Sequence, residues 1–189
     1  MTTYIPQLTL PQAVFSNPAV AILLPIALGT GVGFLVRPSN TQNTYKKIKN
    51  PPFNPPPWVF GPTWTLLYGL MGYASYRAVH LVGTSPLSLP STIADAKSGA
   101  TLYTIQLGLN YLWMPLFFGW NRPVLATVDI VALLGVNAYL TYLWGGVDKV
   151  AGWCLVPYLG WLGFATYLCA GAAWLNNGDL RQPKEGKDL

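Results

Sequence analysis

Charge is scarce in this chain, and so are cysteine and histidine. Asp, Glu, Lys and Arg make up 9% of its 189 residues, against roughly a quarter in a soluble domain. Residues 50–76, 98–121 and 150–178 contain none of these and no His. Hydrophobic residues account for 52%, so a soluble globular domain is excluded and hydrocarbon is the expected solvent for most of the chain. The two cysteines, Cys154 and Cys169, are fifteen residues apart, roughly 22 Å along one helix, too far to bridge each other. With His80 as the single histidine, no metal site, axial haem ligand or cofactor is expected, and His80 itself reads as an interfacial residue. No activated nucleophile or acid–base pair supports a conventional hydrolase or transferase. An internal repeat is also missing, which argues against the inverted-repeat architecture of many secondary transporters.

What is present is enough apolar sequence for several membrane crossings. A helix needs about 20 apolar residues to span hydrocarbon, and five such stretches are read at 19–36, 60–80, 100–119, 123–144 and 150–175. The fold class is therefore all-α, a bundle of five transmembrane helices. No Lys or Arg precedes the first stretch and Pro25 interrupts it, so a removable signal or transit peptide is not expected and the span belongs to the mature protein. The eleven basic residues divide eight to three between the two sides of such a bundle. Arg37, Lys46, Lys47, Lys49, Arg122, Arg181, Lys184 and Lys187 share one side, which the positive-inside rule places in the cytosol together with the C-terminus. The net charge of +5 then reports topology and contact with anionic headgroups of membrane lipids. Nucleic acid is not an expected partner, because the basic residues are dispersed rather than gathered in a patch.

The organisation follows: an N-terminal tail 1–18, a helical domain 19–176 and a polar C-terminal tail 177–189. In the first span, AILLPIALGTGVGFLV, Gly29 and Gly33 stand one turn apart and read as a helix-packing face, with a homodimer through small-residue faces as the alternative. Pro25 is expected to kink it. The loop 37–57 ends in Pro51, Pro52, Phe53, Asn54, Pro55, Pro56 and Pro57, too rich in proline for helix or central strand. It reads as a stiff lid over the bundle or as a spacer. Residues 83–98, rich in Ser, Thr, Pro and Gly, read as a flexible loop.

The candidates for chemistry are aromatic and polar residues at depth. Trp58, Trp120, Trp144, Trp153 and Trp174 fall at span ends, where indoles anchor at the headgroup level. Trp64, Trp113 and Trp161 lie deeper and offer flat faces to a planar ligand, or else pack in the core. Trp64 with Tyr68, and Trp161 with Phe164, Ala165 and Leu168, share helix faces. Asn110 and Asp129 fall within spans three and four. A carboxylate at depth costs about 2.5–3.5 kcal/mol on insertion scales, so Asp129 is expected to face a cavity or a partner. Asn137 reads as an interhelical hydrogen bond.

The run PPFNPPPWVFGPTWTLLYGLMGYASY at 51–76 closely resembles the signature of the translocator protein family, also called tryptophan-rich sensory proteins or peripheral benzodiazepine receptors. NYLWMPLFFG at 110–119 and VPYLGWLGFATYL at 156–168 resemble that family's third and fifth helices. The resemblance implies a five-helix, often dimeric bundle whose pocket binds tetrapyrroles such as protoporphyrin IX, isoquinoline or benzodiazepine drugs and, in animal members, cholesterol. The matching pocket positions are Trp58, Trp64, Asn110, Trp113, Asp129, Trp161, Ala165 and Leu168, and Pro51, Pro52, Phe53, Pro55 and Pro56 fall in the covering loop. Binding with transport, buffering or stress signalling is the expected function. The alternative is an enzyme that degrades porphyrin with light and oxygen through Trp64 and Trp161, as in some bacterial members. The chain departs from animal members at Leu125, where a pocket tryptophan is replaced, and at 168–175, where the tyrosine and cation of the cholesterol motif are missing. The mitochondrial outer membrane, as for animal members, is the expected location, with the endoplasmic reticulum as the alternative.

Overall fold

A computed structural model describes residues 8–36 and 48–180. Arg37, Lys46 and Lys47, the first part of the long loop, and the tail with Arg181, Lys184 and Lys187 lie outside the described residues. Among the described residues there are helices and turns but no strand. The helices are α1 (Gln12–Ser16), α2 (Pro18–Leu35), α3 (Phe60–Ser75), α4 (Pro90–Met114), α5 (Pro123–Val147) and α6 (Lys149–Leu175). A 3₁₀ turn, Pro57–Val59, leads into α3, and π-helical segments Tyr76–Val82 and Pro115–Gly119 continue α3 and α4. Three of the helices, α2, α5 and α6, are long and apolar enough to cross a membrane by length and composition.

Proline marks most of the starts. Pro18, Pro90 and Pro123 occupy the first turns of α2, α4 and α5, where a missing N–H costs nothing and φ is already helical. Pro115 has the opposite effect inside α4. It has no N–H for the carbonyl of Tyr111, and the chain widens into the π register, with Trp120 N–H bonding Pro115 O at 2.8 Å. Arg122 N–H then bonds Leu116 O at 3.0 Å, and Asn121 takes φ 55° to reverse the chain into α5. Asparagine tolerates that left-handed conformation better than most side chains.

The helices form a ring in the order α2, α3, α6, α5, α4, closed by a thinner contact between α4 and α2. Its interior holds Leu67 and Met71 of α3, Tyr103 and Leu107 of α4, Leu133 and Leu140 of α5, and Leu155, Tyr158 and Leu162 of α6. Close approach is set by glycine. A Cβ on Gly72 would strike the carbonyl of Ala21, the group that Pro25 leaves without an intrahelical donor, so α2 and α3 touch backbone to backbone here. Gly99 lies under the Trp144 ring, and Gly152 meets Gly145 at the turn between α5 and α6. At that turn Asp148 caps α6, accepting from Val150 N–H at 2.7 Å and Ala151 N–H at 3.2 Å. The same carboxylate receives Arg77 of the π segment through Nε at 2.9 Å and a second guanidinium nitrogen at 2.8 Å. One side chain thus ties three helices together.

Two expectations need correction, and one segment gains detail. Residues 83–98 do not form one loop, because α4 begins at Pro90; its first turns are polar and carried no apolar signal. Trp144 is no interfacial anchor: it is fully buried, with its indole N–H directed at Ala96 O at 3.5 Å, in space that Gly99 leaves open. The tail 1–18 is not bare. Within it α1 seats Phe15 against Tyr103, ring centroids 6.1 Å apart, and Leu10 N–H bonds Thr104 Oγ1 at 3.0 Å.

Candidate functional site

The far half of the ring, around Asp148, is solid, whereas the half nearest the proline-rich segment is hollow. A cavity of about 460 Å³ lies there among α2, α3, α4, α5 and α6. Trp64 and Tyr68 reach it from α3, Asn110 and Trp113 from α4, and Trp161 and Ala165 from α6. Their convergence follows from helical spacing, since each pair is three or four residues apart and so shares a face. Ile130 and Leu133 complete the wall from α5, and Gly29, Thr30 and Gly33 from α2. Among the described residues, no lining residue is charged.

The rings interlock. Trp64 stands edge-on to Trp161, centroids 6.4 Å apart and planes at 86°, and leans on Tyr68 at 5.4 Å. Phe60 packs against Trp161 at 5.8 Å. The floor is a hydrogen-bonded triad in which Tyr68 hydroxyl donates to Asn110 Oδ1 at 2.5 Å and Asn110 Nδ2 donates to Tyr158 hydroxyl at 2.8 Å. Both ends of the Asn110 amide are therefore engaged, which removes most of the cost of placing it at depth. The indole N–H groups of Trp113 and Trp161 have no hydrogen-bond partner among the described residues.

A second compartment of about 180 Å³ adjoins the first. Phe60, Trp64, Trp113, Met114 and Ala165 line both, and Pro51, Phe117, Leu168 and Cys169 belong to the smaller one. The proline-rich segment lies across it as a strap held on α6. Asn176 accepts from Lys49 N–H at 3.0 Å and donates to Lys49 O at 2.9 Å. Tyr167 hydroxyl donates to Pro52 O at 3.1 Å. Pro51 rests on Gly171, where a Cβ would come within 2.8 Å of the proline ring. Phe53, at the exposed tip, takes φ 62°.

Of the residues singled out from sequence, Trp64, Asn110, Trp113, Trp161 and Ala165 meet in the larger cavity and Leu168 in the smaller. Two stay outside. Trp58 is 74% exposed and lines neither compartment. Asp129 is buried on α5 but also lines neither, and its Oδ2 has no partner among the described residues. Asn137 bonds mainly within its own helix, to Leu133 O at 2.9 Å, with a long 3.5 Å contact to Gln106. His80 stacks on Tyr76 at 5.4 Å, and Cys154 and Cys169 are free thiols. Sequence reasoning missed Tyr158, Tyr111 and the α2 wall. Tyr158 stands three residues before Trp161, and that spacing was the available signal.

The fold and the site define a helical membrane protein built around an uncharged, aromatic cavity. Residues 21–175 match the TspO/MBR family, and the chain belongs to that family. It is 40% identical over 156 residues to a translocator protein homolog of Schizosaccharomyces pombe, covering 82% of this chain and 90% of that one. A tryptophan-rich protein TspO of Archaeoglobus fulgidus is 39% identical, with 78% and 89% covered. The human translocator protein is 37% identical, with 80% and 85% covered.

Proposed function

We propose that residues 19–176 cross the membrane five times and hold a flat hydrophobic ligand of the tetrapyrrole class in the larger cavity. The observation that carries this reading is the cavity itself: about 460 Å³, walled by three indoles and, among the described residues, free of charged side chains. Such volume and lining suit a small-molecule site. Trp64 and Trp161, at right angles, offer one ring face and one ring edge to a planar guest, and the Asn110 triad supplies a polar floor. Helix over 60–82 and 90–119 extends roughly 34 and 45 Å, enough for α3 and α4 to cross as well. The translocator names of the yeast and human relatives support a role in moving the ligand, with buffering or stress signalling as related outcomes. Sterols and isoquinoline or benzodiazepine drugs belong to the same ligand class. The proposed setting is the mitochondrial outer membrane or the endoplasmic reticulum, with the C-terminus cytosolic and a homodimer formed through small-residue helix faces.

The test is titration of the detergent-purified protein with protoporphyrin IX by tryptophan quenching, beside Trp64→Phe and Trp161→Phe. Saturable binding weakened by both substitutions is the expected result, and no saturable binding would sink the reading. A second reading, porphyrin degradation, is favoured by the closeness of Trp64 and Trp161, which lets an electron hole on one indole pass to the other. Absorbance followed in light and in darkness separates the two: pigment lost only on illumination, and preserved in either variant that still binds, marks the enzyme.

A further inference from the structure

Among the described residues, the cavity is covered at its end and open at its side. At the end, the strap is fastened by the reciprocal Asn176–Lys49 bonds, by Tyr167 to Pro52 and by the seat of Pro51 on Gly171. Ile48 is buried beneath it. Lifting the strap breaks these bonds and exposes Ile48 and Pro51. At the side, α2 and α3 run antiparallel and are locked together where Gly72 meets Ala21 and Gly29 meets the Tyr68 ring. Beyond that point space opens beside them. Among the described residues, nothing lies within 4 Å of where a Cβ on Gly31, Gly33 or Gly61 would stand. The register that seats Gly72 and Gly29 brings Gly33 to the level of Gly61, so the two walls of the gap lack side chains at the same height.

The residues at this gap line the cavity and are exposed outside it. Thr30 and Phe34 on α2, and Gly61 and Thr65 on α3, do both, and Phe34 is 70% exposed. The cavity therefore reaches the outer surface between the two helices. Thr30 is five residues from the end of α2, roughly 7.5 Å of helix, and Leu28, Leu35 and Leu66 are exposed around the gap. The gap thus runs from the end of α2, at Gly33 and Phe34, down to Thr30, and opens toward lipid near one face of the bilayer.

We propose that the cleft bounded by Gly33, Phe34, Gly61 and Thr65 is a lateral mouth, through which a ligand already dissolved in the bilayer passes into and out of the cavity while the strap stays fastened. The ligand class this selects is apolar and membrane-partitioned, presenting a narrow edge to the gap. A molecule confined to water gains nothing from such a route, along which no charged group stands among the described residues. The inference rests on the ligand reading of the cavity given above.

The test is stopped-flow binding of protoporphyrin IX to the full chain in lipid nanodiscs, read by tryptophan quenching. Gly33 and Gly61 are replaced together by Ala and, in a second variant, by Leu, side chains that project into open space. A narrowed mouth slows association and dissociation by the same factor, about twofold for the Ala pair and tenfold or more for the Leu pair. A side chain that merely intruded on the bound ligand would speed dissociation alone, and that result overturns the proposal. The strap is locked in a parallel variant, Pro51→Cys with Gly171→Cys, the native Cys154 and Cys169 being replaced by alanine. The Cβ positions are close enough to bridge after a small outward shift. Rates of the oxidised form within twofold of its own reduced form are expected. Slowing on oxidation, with rates in the glycine variants unchanged, would assign passage to the strap instead. If the unmodified protein shows no saturable binding, the ligand reading falls and the mouth falls with it, whereas binding with unaltered rates in every glycine variant removes the mouth alone.

Discussion

At the end of the bundle that holds Asp148, glycine brings backbones together, Gly72 against Ala21 and Gly152 against Gly145, and makes room for the Trp144 ring at Gly99. At the strap end, Gly33 and Gly61 face empty space beside a cavity. One half is clasped by an ion pair and close helix contacts; the other is splayed around aromatic walls and covered by a strap. The contrast teaches that a small residue in a membrane helix can serve either packing or vacancy. In lipid no hydrophobic force drives helices together, so close contact must come from complementary surfaces and specific polar bonds. Where those are withheld, a void persists.

The contrast is tested hardest at Gly72. Gly72→Val should cost about 3 kcal/mol or more, because the clash is with backbone that cannot swing away; unfolding in detergent followed by circular dichroism measures it. A loss below about 1 kcal/mol would mean that the helices slide apart freely and that the solid half is not solid. Next comes Asp148→Ala, which removes the α6 cap and strands Arg77. About 2–3 kcal/mol should be lost, of which the cap accounts for about 1. A double-mutant cycle with Arg77→Ala should return a coupling near 1–2 kcal/mol.

Smaller effects belong to the hollow half. Asn176→Ala should change global stability by less than about 1 kcal/mol, yet trypsin should cut after Lys49 several-fold faster, since the strap loses both bonds to that residue. Unaltered cleavage would show that Tyr167 and Gly171 hold the strap unaided. The smallest effect is expected at Gly33, where alanine should be neutral or should stabilise α2 by up to about 1 kcal/mol through helix propensity alone. Destabilisation there would dissolve the distinction between the two halves.

Much of the architecture could be read from charge and proline. The apolar stretches located α2, α5 and α6 within a few residues, because length and apolarity are linear properties of a sequence. The prolines of the strap marked a non-helical segment for local steric reasons. The beginning of α4 escaped notice, since Pro90, Ser91 and Thr92 look like loop until α4 is seen to run past the membrane-like stretch into polar surroundings. At the site, Trp64, Trp113, Trp161 and Asn110 were legible as deep, unusual residues. Tyr158 was not, because its importance lies in completing the Asn110 triad from another helix.

What the sequence determined by itself was the solvent, the places where helices start and break, and the stock of rings available at depth. The direction in which each helix faces was decided by the tertiary structure. A helix in water shows its inner face by contrast with a polar outer one; here both faces are apolar, since lipid chains are no more polar than a protein core. Trp144 and Trp58 therefore look alike in sequence, both at the ends of apolar stretches, yet one is sealed over Gly99 and the other stands at the surface. Asp129 lines neither compartment, although its depth led one to expect a cavity or a partner. Only the packing of neighbouring helices, glycine against carbonyl and Arg77 against Asp148, settles the rotations that make one half of the ring solid and the other hollow.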